Sequence, residues 1–126
     1  MSESLPTATL GRTGLKVTRL GYGAAAVRDV SDDLANTVLN AVLDAGVNFV
    51  DTANCYGRSE ELIGKYISHR RSEYFLATKC GCMPKEELLH IWTKENLMRC
   101  LHESLTRLKT DYVDVMQLHG YFHGPS

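Results

Sequence analysis

The chain has 126 residues, 44% hydrophobic and 23% charged, with 14 Lys plus Arg against 15 Asp plus Glu and a net charge of −1. This is the composition of a single ordinary globular domain, residues 1–126, too evenly mixed for a membrane protein and too apolar for a disordered one. A near-neutral balance argues against a protein that holds nucleic acid or an anionic membrane by bulk charge.

Met1 to Thr9 lacks a cationic segment followed by an apolar one, so no signal peptide is expected. No apolar run approaches the roughly 18 residues of a membrane span, and a cytoplasmic protein is the expectation. Ala8–Leu10 and Leu15–Thr18 flank Gly11-Arg12-Thr13-Gly14 and predict a hairpin. Arg19–Gly23 is a short candidate strand that runs into the small-residue loop Gly23–Ala26. Ser31 reads as an N-cap, and Asp32 and Asp33 sit where negative charge suits the helix dipole. Leu34, Val38, Leu39 and Val42 recur at helical spacing, and Gly46 ends that helix.

Val47–Asp51 predicts a buried strand. Ser59 can cap a second helix that carries Leu62, Ile63, Tyr66 and Ile67. Tyr74–Lys79 is the next strand, and Thr93 can cap a third helix with Leu97, Leu101, Ser104, Leu105 and Leu108 on one face. Tyr112–His119 is the last strand, and 120–126 has turn composition. Strands alternating with amphipathic helices imply a parallel sheet covered by helices, an α/β fold. Cys55, Cys80, Cys82 and Cys100 are expected to be free thiols in a reducing compartment. Cys80-Gly81-Cys82 has no second pair at zinc-finger spacing, so no metal site is expected.

The chemistry gathers at strand ends. Asp51, Lys79 and His119 each close an apolar run, and in a parallel sheet the C-terminal strand ends share the face that holds active sites. Tyr56 lies in the loop after Asp51 on that same face. A free phenol gives up its proton only near pH 10, but a neighbouring ammonium favours the phenolate. A carboxylate keeps the lysine charged and aimed, and an imidazole can donate a hydrogen bond to a substrate oxygen. Taken alone, each residue has a bland reading: a turn-forming Asp, a solvated Lys, a structural His, a packing Tyr. Three strands placing ionisable groups at one relative position favour a site that protonates a developing alkoxide.

These residues resemble the aldo-keto reductase family. Gly46-Val47-Asn48-Phe49-Val50-Asp51-Thr52-Ala53, Tyr56-Gly57 and Ser59-Glu60 with Leu62-Ile63-Gly64 are similar to its first signature. Ala77-Thr78-Lys79 resembles its third strand, and Glu103-Ser104-Leu105, Arg107-Leu108, Asp111-Tyr112-Val113-Asp114 and Gln117-Leu118-His119 resemble its third helix and fourth strand. Leu10-Gly11, Gly14-Leu15-Lys16-Val17 and Leu20-Gly21-Tyr22-Gly23 resemble its opening hairpin and first strand. Ala77-Thr78-Lys79-Cys80-Gly81 is also similar to the galactose- and fucose-dehydrogenase-like branch.

The resemblance implies a TIM (β/α)8 barrel, here its first four βα units or so behind an N-terminal hairpin. It implies NADP(H), or NAD(H), as cofactor, no metal, and reversible hydride transfer with an aldehyde, ketone or sugar. By position Tyr56 would be the general acid and base, Lys79 would favour its ionisation, and Asp51 would pair with Lys79. His119 would orient the substrate carbonyl, while Gly23, Ala24 and Asp51 would lie near the nicotinamide ribose. A complete barrel takes about 250 residues, and no basic pocket for the 2′-phosphate is identifiable in this chain. Open first and fourth strands would admit self-association or a partner. The alternative expectation is therefore a non-catalytic interaction protein that lacks the cofactor-binding half.

Overall fold

A strand that is to lie in the middle of a parallel sheet must present apolar side chains to the helices that cover it, and the residues at 49–51 and 75–80 do so, while those at 115–118 form an edge strand on which Leu118 is exposed. The computed structural model describes residues 4–81 and 93–119. The expectations for Cys82 and for the turn at 120–126 fall outside these residues. The elements are β1 (Thr7–Thr9), β2 (Lys16–Thr18), β3 (Tyr22–Gly23), α1 (Asp32–Asp44), β4 (Phe49–Asp51), α2 (Ser59–Ile67), β5 (Phe75–Cys80), α3 (Lys94–Leu108) and β6 (Val115–Leu118). Short 3-10 turns at Ala24–Val27 and Ser68–Glu73 follow β3 and α2.

β1 and β2 form the predicted antiparallel hairpin. β3, β4, β5 and β6 form a four-stranded parallel sheet in chain order. Every neighbouring pair in it is joined by a crossover that carries a helix, as parallel strands require. This is the arrangement expected of the first part of a barrel wall. Its outward side chains Val50, Leu76 and Thr78 are fully buried beneath the helices, with Leu39, Leu62, Ile63, Ile67 and Leu108. The inward side chains Phe49, Asp51, Phe75, Lys79, Val115 and Gln117 remain half-buried.

Two strands are shorter than their apolar runs because side chains take over backbone bonds. Asn48 delays the start of β4: its amide group accepts from the Thr18 N–H (2.6 Å) and donates to the Lys16 carbonyl (3.0 Å), tying the hairpin to the sheet. Asp114 does the same ahead of β6, where its carboxylate accepts the Leu76 N–H at 2.8 Å and pairs with Arg71 at 2.8 Å.

The helices follow their periodicity with a rotation. α1 begins at the Ser31 cap, whose Oγ accepts the Leu34 N–H. Its buried line is Ala35, Leu39 and Leu43, while Leu34 is 49% exposed. In α3, capped by Thr93 as expected, the buried line is Cys100, Ser104 and Leu108, with Leu97, Leu101 and Leu105 on its flanks. Small residues at the centre of these faces let helix backbones approach closely. A Cβ at Gly64 of α2 would collide with the Arg107 carbonyl oxygen.

Two expectations are corrected. Ser59 is the first residue of α2 and not its cap. Its buried Oγ instead bonds the Ala24 carbonyl (2.8 Å) and the Thr52 hydroxyl (2.8 Å), so that it joins the start of α2 to the segments that follow β3 and β4. The described cysteines are not free thiols. Cys80, on the helix-covered side of β5, is joined to Cys100 on the buried line of α3 by a disulfide with a Cα separation of 6.1 Å, within the range such a bond spans.

Candidate active site

Each residue at the rim is delivered by an ordinary feature of the chain. Asp51 is the last residue of β4 and pairs in register with Gly23 on one side and Ala77 on the other. Lys79 lies one inward-facing step beyond Ala77 on β5 and is in register with Gln117 of β6. His119 stands two residues past Gln117, hence on the same side, with its N–H bonded to the Cys80 carbonyl at 2.7 Å. Tyr56 sits in a turn closed by its N–H on the Ala53 carbonyl. Gly57 follows with a φ of +50°, and the Arg28 carbonyl would be 3.0 Å from a Cβ there. A left-handed backbone against a neighbouring carbonyl is a place for glycine alone.

The Lys79 ammonium is the hub. Nζ donates to both Asp51 carboxylate oxygens (3.0 and 2.9 Å), to the Thr52 carbonyl (3.0 Å) and to the Tyr56 hydroxyl (3.4 Å). An ammonium has three protons, and one carboxylate, one carbonyl and one phenol use them all. The Lys79 side chain is 13% exposed and that of Asp51 35%, so the pair is shielded more on the lysine side.

Tyr56 lies at the centre of a cationic and aromatic surround. The His119 ring stands edge-on to it, with centroids 6.0 Å apart at 86°. The Arg28 guanidinium is 5.8 Å from its ring centroid and Lys79 Nζ is 5.0 Å away. His119 Nδ1 is 3.4 Å from the Cys55 sulfur. Gly23 lies beside Asp51, with open space where a side chain would stand. Ala24 is buried, its carbonyl turned to Ser59.

The structure thus brings Asp51, Tyr56, Lys79 and His119 to one rim, with Gly23 beside them. Two neighbours were not singled out from the sequence. Thr52 contributes through a backbone carbonyl, for which no side-chain pattern gives a sign. Gln117 donates through Nε2 to Asp51 Oδ1 at 3.2 Å. Its signal was available: strand side chains alternate, so a residue two before His119 shares its side.

From the outer side β5 is held on both flanks of Lys79. Thr78 Oγ1 donates to the buried Glu60 carboxylate at 2.7 Å, which also binds the Arg107 guanidinium at 2.8–2.9 Å. Cys80 is bonded to Cys100. No group of three His, Cys, Asp or Glu side chains able to hold a metal ion occurs among the described residues. No helix among them is long and apolar enough to cross a membrane.

The sequence profile of the aldo/keto reductase family matches residues 19–123. The chain is 40% identical over 125 residues to the L-galactose dehydrogenase of Arabidopsis thaliana, covering 91% of this chain and 38% of that protein. It superposes on the holo form of a Bacillus halodurans aldo-keto reductase with a TM-score of 0.82 and 32% identity, covering 94% of this chain and 41% of that one. It superposes on a Klebsiella pneumoniae aldo-keto reductase in complex with NADPH with a TM-score of 0.72 and 25% identity, covering 99% of this chain and 42% of that one. The chain therefore spans about two fifths of the length of these relatives.

Proposed function

The chain belongs to the aldo/keto reductase family, and from that membership and the rim geometry we propose that it carries the proton-handling site of an oxidoreductase. That enzyme would use NADP(H), or NAD(H), to interconvert a small-molecule carbonyl and an alcohol, with a sugar or simple aldehyde as the substrate class. The observation that carries this reading is the contact of Lys79 Nζ with the Tyr56 hydroxyl at 3.4 Å while both Asp51 oxygens hold the same ammonium.

The residues fit a nicotinamide at this rim. Gly23 leaves open space beside the Asp51 carboxylate, so a ring and its ribose laid there meet backbone and a hydrogen-bond acceptor. When bound, that group supplies the hydride in reduction and accepts it in oxidation. Tyr56 handles the proton. In reduction its Oη–H bond breaks and the proton passes to the carbonyl oxygen as negative charge builds there. The phenolate left behind is stabilised by the Lys79 ammonium, whose charge Asp51 maintains. In oxidation the same phenolate takes the alcohol proton back. His119, edge-on to Tyr56, presents a ring nitrogen that orients the substrate oxygen.

The test is Tyr56→Phe in the full-length protein. We expect carbonyl reduction to be lost while NADPH still binds by fluorescence quenching. Turnover equal to that of the unmodified protein would overturn the reading.

A further inference from the structure

We propose that Gln117 is a positioning residue for this reaction, one that holds the Asp51 carboxylate in place and so reserves one Lys79 proton for Tyr56. The inference rests on the reading above and adds a residue that it does not require.

The geometry is specific. Gln117 is on β6 and Asp51 on β4, with β5 between them. The rung between the two side chains is occupied by Ala77, in register with Asp51 on one side and Val115 on the other. A methyl group at that rung leaves room for the amide to reach over β5. Nε2 then donates to Oδ1 of Asp51 at 3.2 Å, and Gln117 stands in register with Lys79, the partner of that carboxylate.

A carboxylate accepts several hydrogen bonds, whereas the ammonium has only three protons to give. With only Lys79 to turn to, Asp51 competes for every one of those protons. A neutral amide on Oδ1 satisfies part of that demand without adding charge. One Lys79 proton is then free to point at the Tyr56 hydroxyl at 3.4 Å, where it counters the charge left on proton release. A carboxylate at position 117 would fill the same space and draw the ammonium away from the phenol.

The test uses two replacements of similar volume, Gln117→Met and Gln117→Glu, in the full-length protein with NADPH and a carbonyl substrate. Gln117→Met should lower kcat by about fivefold, the rate equivalent of one ordinary hydrogen bond, with KM unchanged. Gln117→Glu should move the alkaline limb of the kcat profile to higher pH, which a purely packing role would not do. A second readout needs no turnover: exchange of the Lys79 Nζ protons with water, followed by NMR, should be slower in Gln117→Met, because the Asp51 carboxylate then holds more of them. Wild-type kcat and ammonium exchange in Gln117→Met, together with a wild-type pH profile in Gln117→Glu, would overturn the proposal. If Tyr56→Phe keeps full turnover, the reading of the reaction has failed instead, and the exchange measurement still decides the role of Gln117.

Discussion

The Lys79 ammonium meets both oxygens of the Asp51 carboxylate, at 3.0 and 2.9 Å, although in the sheet Asp51 is in register with Ala77 and Lys79 lies two residues further along. The lysine therefore leans back across a strand step to reach its partner. That lean brings the same nitrogen under the Tyr56 hydroxyl. The reach of the side chain, and not the strand register alone, assembles the site.

Lys79→Met keeps the stem and removes the charge. On the reaction proposed above, that loss should lower kcat for carbonyl reduction by about 10²–10⁴-fold. The protein should remain folded, since the outer side of β5 is still held by Thr78 and Cys80. Steady-state kinetics beside a thermal melt checks both halves. A loss of less than threefold would remove Lys79 from the mechanism.

Gly64→Ala pits helix propensity against packing. Propensity alone favours Ala by about 1 kcal/mol. The added methyl, however, collides with the Arg107 carbonyl of α3, a rigid neighbour. The expected outcome is destabilisation by about 2–3 kcal/mol, read from the urea midpoint. A stabilised variant would mean that α2 and α3 do not approach closely here.

Tyr74 is 3% exposed and its hydroxyl has no hydrogen-bond partner among the described residues. Burial pushes its ionisation up to about 12, against about 10 for an unfolded tyrosine. A raised folded value stabilises the fold below the unfolded value and is lost as pH climbs through the folded one. Tyr74→Phe should therefore be neutral, or stabilising by about 1 kcal/mol, at pH 7. It should also escape the loss that the parent suffers between pH 10 and 12. Denaturant melts across that range would show the two curves separating, and parallel curves would contradict the burial of this hydroxyl.

Asp32 opens α1 and is gripped from α2. Hydrogen bonds from Lys65 (2.7 Å), then Arg58 (2.8 Å) and Tyr66 (2.8 Å), hold its carboxyl well below the usual carboxylate range. A depressed folded value contributes stability above the unfolded value, near 4, that is lost as pH falls through the folded one. Asp32→Asn should thus melt below the parent at pH 7, and the gap should narrow steadily below about pH 4. Added salt should narrow it at pH 7 as well, because these groups are solvent-facing. A gap independent of pH would point to lost packing instead of lost charge.

Cys100→Ser opens a loop of 20 residues. On the chain-entropy account this costs about 3 kcal/mol. Non-reducing peptide mapping should recover the Cys80–Cys100 pair. Equal melting temperatures for Cys100→Ser and the parent would argue that the bond contributes nothing.

The fold was readable wherever one side of an element alternates cleanly. The apolar runs ending at Asp51, Lys79 and His119 marked three strands and their common rim, and the caps Ser31 and Thr93 marked two helix starts. What escaped depended on partners distant in the chain. Ser59 looked like a cap, but it serves Ala24 and Thr52 from across the fold. Leu34 belongs to the periodic pattern of α1 yet faces solvent, because the smaller Ala35 takes the central line. The Cys80–Cys100 bond requires knowing that the outer side of β5 meets the buried line of α3. Gln117 was quoted within a motif, and alternation puts it on the side of His119, but which partner it meets there depends on reaching across a whole strand to Asp51.

Lys79 is flanked in the chain by two residues anchored on the opposite side of their strand, Thr78 through Glu60 and Cys80 through Cys100. The Lys79 ammonium is thus borne on a plank fastened from behind, on the side away from Asp51 and Tyr56. Loops on the rim can diverge in sequence without disturbing the ammonium. Drift in the outer helices, remote from any bound molecule, would be felt there first.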